Sequence, residues 1–181
     1  KDTYGKVMTY GGSIINAYYF STSCGHTASV QEVWGGQADY LTGKLQQVQL
    51  EANISNEDGL PVSSPNTEVD FSNESEFRDF IFNPSYPTYD SEFSWYRWKV
   101  ALSFAELTES INSKITSRYN ANPQYIQTLV GSNEGVEIYE SLPVEGIGSL
   151  QNLAILKREK SGIVTELKLV GSKKTVKVVG E

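Results

Sequence analysis

The sequence predicts an α+β fold on three observations: a glycine-centred hairpin near the start, capped amphipathic segments in the middle, and three β-rich runs at the end. Residues 6–10 (K-V-M-T-Y) and 13–20 (S-I-I-N-A-Y-Y-F) are rich in strand formers and flank Gly11-Gly12, a two-residue hairpin turn. At the other end, residues 150–156, 163–170 and 175–179 are joined at Ser161-Gly162 and Gly171-Ser172. They read as an antiparallel β-meander with lysines and glutamates on its wet face. The expected architecture is antiparallel β-hairpins and a C-terminal meander packed with two or three short helices, in one domain spanning 1–181.

The intervening elements follow in order. The second hairpin strand delivers the loop S-T-S-C-G-H-T at 21–27, and residues 29–34 form a short helix stopped by Gly35-Gly36. An extended stretch runs over 40–50. Residues 51–72 turn polar, acidic and punctuated by proline and glycine, which marks a surface insertion. Asn73 and Glu76 make a capping-box pattern, and Phe77, Phe80 and Ile81 give the helix behind it an apolar face, ending before Pro84. Residues 93–102 (F-S-W-Y-R-W-K-V-A-L) read as a strand with Trp95 and Arg97 on one face and Tyr96 and Trp98 on the other. Ser103 and Glu106 form a second capping box, and Leu107, Ile111 and Ile115 carry a helix to about Tyr119. Beyond Pro123 come short apolar runs separated by Gly131, Gly135, Gly146 and Gly148. No fixed-period repeat and no low-complexity block interrupts the chain.

Composition narrows the function. The formal net charge of −7 argues against nucleic acid, which needs a basic stripe to neutralise phosphates. The charge is uneven, with seven lysines or arginines against three acids from Leu150 onward. One cysteine forms no internal disulfide and does not fix the redox compartment. No apolar run approaches the ~20 residues that span a bilayer. The sequence starts at Lys1 with neither initiator methionine nor signal peptide, and we read it as a piece of a longer protein.

The rare chemistry lies between Tyr18 and Tyr40, which holds the only cysteine, Cys24, and the only histidine, His26. On extended backbone, positions i and i+2 share a face. Three readings stay open: part of a zinc site, a thiolate–imidazolium pair, or a packed thiol beside a hydrogen-bonding imidazole. A zinc site needs further ligands that no second Cys or His here supplies and that carboxylates or a segment outside this chain would have to provide; the expectation is no cofactor, with zinc at Cys24 and His26 as the alternative. Ser21, Thr22, Ser23 and Thr27 offer four hydroxyls that suit either sugar recognition or turn chemistry. Trp34, Tyr40, Trp95, Tyr96 and Trp98 offer stacking faces or core. Among the carboxylates Glu32, Asp39, Glu76, Asp90 and Glu92, Glu32 is the best placed for a glycan-cleaving acid, just ahead of Val33-Trp34. No G-x-S-x-G elbow and no phosphate loop occurs.

With S-T-S-C-G-H-T followed by E-V-W-G and A-D-Y-L, the chain resembles the stage II sporulation protein D family, the SpoIID/LytB domain. Members carry a strand of the form T-Y-x-G-x-x-I-x-A-Y-Y, then S-T-S-x-G-x-T, then V-W and Y-L. Here these are Thr9-Tyr10, Gly12, Ile15 and Ala17-Tyr18-Tyr19, residues 21–27, Val33-Trp34 and Tyr40-Leu41. Trp95-Tyr96-Arg97-Trp98 extends the likeness to the family's Trp-bearing strand. Cys24 stands where a glycine is frequent. The match is specific over about 5–41 and weaker but collinear beyond.

The resemblance implies a peptidoglycan lytic transglycosylase that cuts between N-acetylmuramic acid and N-acetylglucosamine and leaves a 1,6-anhydro end. It implies action in sporulation and engulfment, at the cell envelope or between forespore and mother cell. A membrane anchor outside this chain and sporulation proteins as partners are compatible with it. The family's catalytic glutamate belongs to an E-A-L-K-A-Q-A-V-A-A-R-T type motif ahead of the hairpin. That motif does not occur in this sequence, so no catalytic residue is assigned; the zinc ligands of some relatives also lie upstream and do not map onto Cys24 and His26. What carries over is a wall of the glycan cleft, with Ser21, Thr22, Ser23, Gly25, His26, Thr27, Trp34 and Tyr40 as expected substrate-binding residues. The alternative expectation is a non-catalytic peptidoglycan-binding or amidase-enhancing module.

Overall fold

A computed structural model describes residues 4–46, 70–83, 86 and 88–180. Most of the expected 51–72 insertion, and 47–50 of the expected extended stretch, lie outside the described residues. The architecture is α+β, and the chain divides into two compact units, one of residues 1–68 with 83–97, the other of 69–82 with 98–181.

The second unit is built on a five-stranded antiparallel sheet. Its strands are β3 (Ile126–Asn133), β4 (Val136–Glu140), β5 (Leu150–Arg158), β6 (Val164–Gly171) and β7 (Thr175–Val179), in the order β4-β3-β7-β6-β5. The expected meander is the β5-β6-β7 half. The glycine-separated runs after Pro123 supply β3 and β4, and β3 extends the sheet by pairing with β7. On β6 and β7, Leu167, Leu169, Val176 and Val178 pack into the apolar core. Glu166 and Lys168 alternate with those leucines, and Lys177 with those valines; Lys177 pairs with Glu166 and Lys168 with Glu137.

The helix α3 (Phe104–Ala121) starts in the expected capping box: Ser103 Oγ accepts the Glu106 N–H at 3.2 Å, and the Glu106 carboxylate accepts the Ser103 N–H at 2.8 Å. These bonds hold the Glu106 carboxyl below its ordinary range. Ile115 is buried, with Leu107 and Ile111 beside it, against Ile126, Leu150, Leu169 and Val176. Polar side chains of α3 pin the segment between β4 and β5. Asn112 donates to Gly148 O and accepts from Ile147 N, both at 2.9 Å, while Thr116 donates to Val144 O at 3.0 Å. Val144 and Ile147 thereby close the core, and Ile147 has no exposed surface.

The helix α2 (Glu74–Phe82) is capped by Asn73, whose Oδ1 accepts the Ser75 N–H at 2.9 Å. Arg158 docks it: its guanidinium reaches Glu74 Oε2, donates to Gly162 O at 2.6 Å and lies 4.1 Å over the Phe77 ring.

The expected strand over 93–102 is not formed. Residues 88–97 run instead through successive turns, with Ser91 N donating to Thr88 O, Phe93 N to Asp90 O and Tyr96 N to Phe93 O. Strand-forming side chains need a neighbouring ladder, and here three of the N–H groups close turns within the segment while Tyr89 N donates to Gln46 O at 3.0 Å. Residues 98–102 have no regular structure.

Replacing Ile147 by Ala should lower stability by about 2–5 kcal/mol, because the fully enclosed site leaves a cavity. Urea unfolding followed by circular dichroism measures it.

Candidate functional site

In the first unit, the hairpin of β1 (Thr9–Tyr10) and β2 (Ser13–Ile14) precedes the loop 21–27, followed by α1 (Val30–Trp34). The expected second hairpin strand over 13–20 is reduced to Ser13–Ile14. The loop has no ladder of its own beyond a single bridge from His26 to Leu45, so tertiary bonds on two sides hold it.

On one side runs the segment 41–46. Thr27 N donates to Lys44 O at 2.9 Å, Lys44 N returns a bond to Thr27 Oγ1 at 2.9 Å, and Gln46 N donates to Gly25 O at 2.8 Å. The two backbones come so close that a Cβ on Gly43 would sit 2.7 Å from Thr27 O, which accounts for glycine there. On the other side runs the turn-rich segment 88–97. One oxygen of Asp90 accepts both Ser23 N–H at 2.6 Å and Ser23 Oγ–H at 2.7 Å, and Ser23 Oγ accepts the Gly25 N–H at 3.1 Å. Arg97 donates from Nε to Cys24 O at 3.1 Å and from Nη1 to Asn83 O at 2.6 Å, with its guanidinium 4.5 Å over the buried Tyr96 ring.

A cleft of about 390 Å³ opens along this loop, within the range of ligand-binding pockets. It gathers Thr22, Ser23, His26, Thr27, Trp34 and Tyr40 from the expected set. Three expected or candidate positions do not line it. Ser21 is exposed, Gly25 is buried backbone with a left-handed φ of 103°, and Cys24 is half-buried. The Cys24 thiol points to the backbone His26 O at 3.8 Å. Among the described residues, no group of three or more His, Cys, Asp or Glu side chains could hold a metal ion.

Sequence reasoning did not assign the apolar part of the cleft: Tyr18, Phe20, Ala28, Val30, Val33 and Leu41. Val30 and Val33 sit one turn apart on α1, a spacing that could have signalled a shared face. The rings pair at its rim, Tyr18 with Trp34 at 5.0 Å and 42°, and Tyr10 with Tyr40 at 5.4 Å and 47°. Trp34 nevertheless keeps 63% of its surface exposed. Tyr96 is core, while Trp95 and Trp98 are exposed and outside the cleft.

The carboxylates fall elsewhere. Glu32 accepts Ser29 N–H at 2.7 Å and Ser29 Oγ–H at 2.9 Å in the capping box of α1, so its carboxylate serves the helix. Asp90 braces the loop, and Glu76 stands on α2 in the other unit. Among the described residues, no carboxylate lines the cleft. His26 is buried; loss of hydration pushes its imidazole below the ordinary value of 6.5, partly offset by the nearby Glu32 charge and a backbone hydrogen bond at Thr27.

Comparison with protein families, with curated proteins and with solved structures finds no match in any of the three.

Gly43→Ala should destabilise the fold by about 1–3 kcal/mol, since Thr27 O is backbone and cannot swing aside. Gly131→Ala, with open space at its Cβ, is the near-neutral control in the same thermal-unfolding measurement. The sole histidine also gives a pH signature. Its folded-state pKa lies below the unfolded value, so the unfolded chain takes up the proton first as pH falls below about 6.5. Stability should therefore drop between pH 7.5 and 5.5, and His26→Gln should flatten that part of the profile in urea titrations.

Proposed function

We propose that this chain binds peptidoglycan glycan strands as part of a lytic transglycosylase of the SpoIID/LytB type, with the loop 21–27 as one wall of the cleft. The observation that carries the proposal is the juxtaposition of polar loop groups with an open aromatic pair: Thr22 and His26 line the same cleft as Tyr18 and Trp34. A sugar ring presents hydroxyls around its edge and C–H groups on its faces. Hydroxyls with an imidazole serve the edge, and an exposed indole serves a face.

The reaction needs one carboxylic acid that protonates the glycosidic oxygen. The carboxylate left behind then takes the proton of the muramyl 6-hydroxyl as that oxygen closes onto its own anomeric carbon, giving the 1,6-anhydro end. The described lining residues contribute no such acid, so the proposal gives this cleft strand binding and orientation and leaves proton donation to a group beyond that lining. A cell-envelope location, and sporulation proteins as partners, belong to the same reading. The same lack of a lining carboxylate favours the second reading, a non-catalytic glycan-binding or amidase-enhancing module.

Titration with N-acetylglucosamine tetramer should quench or shift tryptophan fluorescence, and Trp34→Ala should weaken binding by about 10-fold, the equivalent of ~1.4 kcal/mol. Incubation with peptide-stripped glycan strands should release no anhydromuramyl products from this chain. Their appearance would place a proton donor within it, and failure of the tetramer to bind would remove the glycan reading.

A further inference from the structure

The hydroxyls of the cleft are not equivalent. Ser23 Oγ is committed to Asp90 and Gly25, Thr27 Oγ1 to Lys44, and Ser29 Oγ to the cap of α1. Thr22 and Thr42 line the cleft without a protein partner for their hydroxyls among the described residues. Opposite chemistry is supplied by Ala28, Val30, Val33 and Leu41, a run of aliphatic wall that a purely hydroxylated ligand would leave wet. Among the described residues, no lysine, arginine, aspartate or glutamate lines the cleft. Burial also keeps His26 uncharged near neutral pH.

A group suited to this lining is small and uncharged, with a methyl at one end and both a donor and an acceptor at the other. A carboxylate would find no cation, and an ammonium no anion. We propose that the pocket is a subsite for the N-acetyl group of a hexosamine, with its methyl against Val30, Val33 and Leu41 and its amide served by Thr22 and Thr42. This rests on the glycan reading above and adds to it a selectivity: the cleft reads the substituent at carbon 2 rather than the sugar chain in general. A ligand bearing a 2-hydroxyl in place of the acetamide would leave the aliphatic wall uncovered and the two threonines without an amide.

The test compares two neutral tetramers of the same linkage, one of N-acetylglucosamine and one of glucose, by calorimetry on the whole chain. The acetylated tetramer should bind at least about 10-fold more tightly, the scale at which a pocket discriminates a small apolar group. In saturation-transfer NMR on the unaltered protein, the acetyl methyl should receive the strongest transfer. Val33→Thr, near-isosteric but polar, should narrow the ratio, and Thr22→Val should weaken the acetylated tetramer more than the glucose tetramer. Equal affinity for the two tetramers, or transfer spread evenly over the ring protons, would overturn the acetyl subsite and leave glycan binding standing. Absence of binding by both would overturn the glycan reading and the subsite together.

Discussion

A single carboxylate oxygen holds the cleft in shape. Asp90 Oδ2 takes both the N–H and the Oγ–H of Ser23, a residue that is itself buried. Leaving a buried donor unmatched costs on the order of 1–3 kcal/mol, so this acceptor fixes where the chain passes position 23. Ser23 Oγ, oriented by that bond, then accepts the Gly25 N–H, and Arg97 takes the carbonyl between them at Cys24. Lys44 and Gln46 anchor the far half of the loop. A segment with only a single bridge of its own is thereby tied down on both sides by hydrogen bonds.

That bracing separates two roles within one hydroxyl-rich motif. Committed and uncommitted hydroxyls are both present in S-T-S-C-G-H-T, but on different residues. Ser23 and Thr27 spend their hydroxyls on the loop itself, whereas Thr22 keeps its own free of protein partners among the described residues. Cys24 contributes its carbonyl to Arg97 and only a long thiol contact to His26 O. The glycine after it is buried with φ of 103°, where a side chain would be strained. The unusual composition of the stretch thus reflects mainly how it is held, and only in part what it touches.

The same distinction sets what the sequence could reveal. Capping boxes and periodic faces act within a few residues, so α3 and the helix after Asn73 were legible, as were the three strands joined by glycine turns. The rarity of Cys24 and His26 drew attention to the loop along which the cleft opens, and Trp34 and Tyr40 line that same cleft. What holds the loop was not legible, because Asp90 and Arg97 lie 67 and 73 residues from the atoms they bind. Residues 93–102 misled for a related reason: strand-forming side chains describe a surface that fits a ladder but do not supply the neighbour. Strands β3 and β4 were obscured in the opposite way, since the glycines that divide them look like loop until β7 offers a partner.

The two units spend their apolar side chains differently. In the second, Ile115, Ile126, Val144, Ile147, Leu150, Leu169 and Val176 form one buried cluster, the ordinary source of stability. In the first, Tyr96 is the sole large apolar side chain buried among the described residues, while Tyr18, Phe20 and Trp34 each keep more than half of their surface open. An aromatic ring buried in a core has no face left for a ligand. Keeping the rings at the rim forfeits roughly 1.5–3 kcal/mol of burial per large side chain, which leaves hydrogen bonds and close backbone approach to carry the unit's order. Asp90 on Ser23 and Gly43 against Thr27 are those substitutes. The dense bracing of the loop and the exposure of the aromatics are therefore two sides of one constraint: apolar surface left open along the cleft cannot also serve as the core that holds the loop in place.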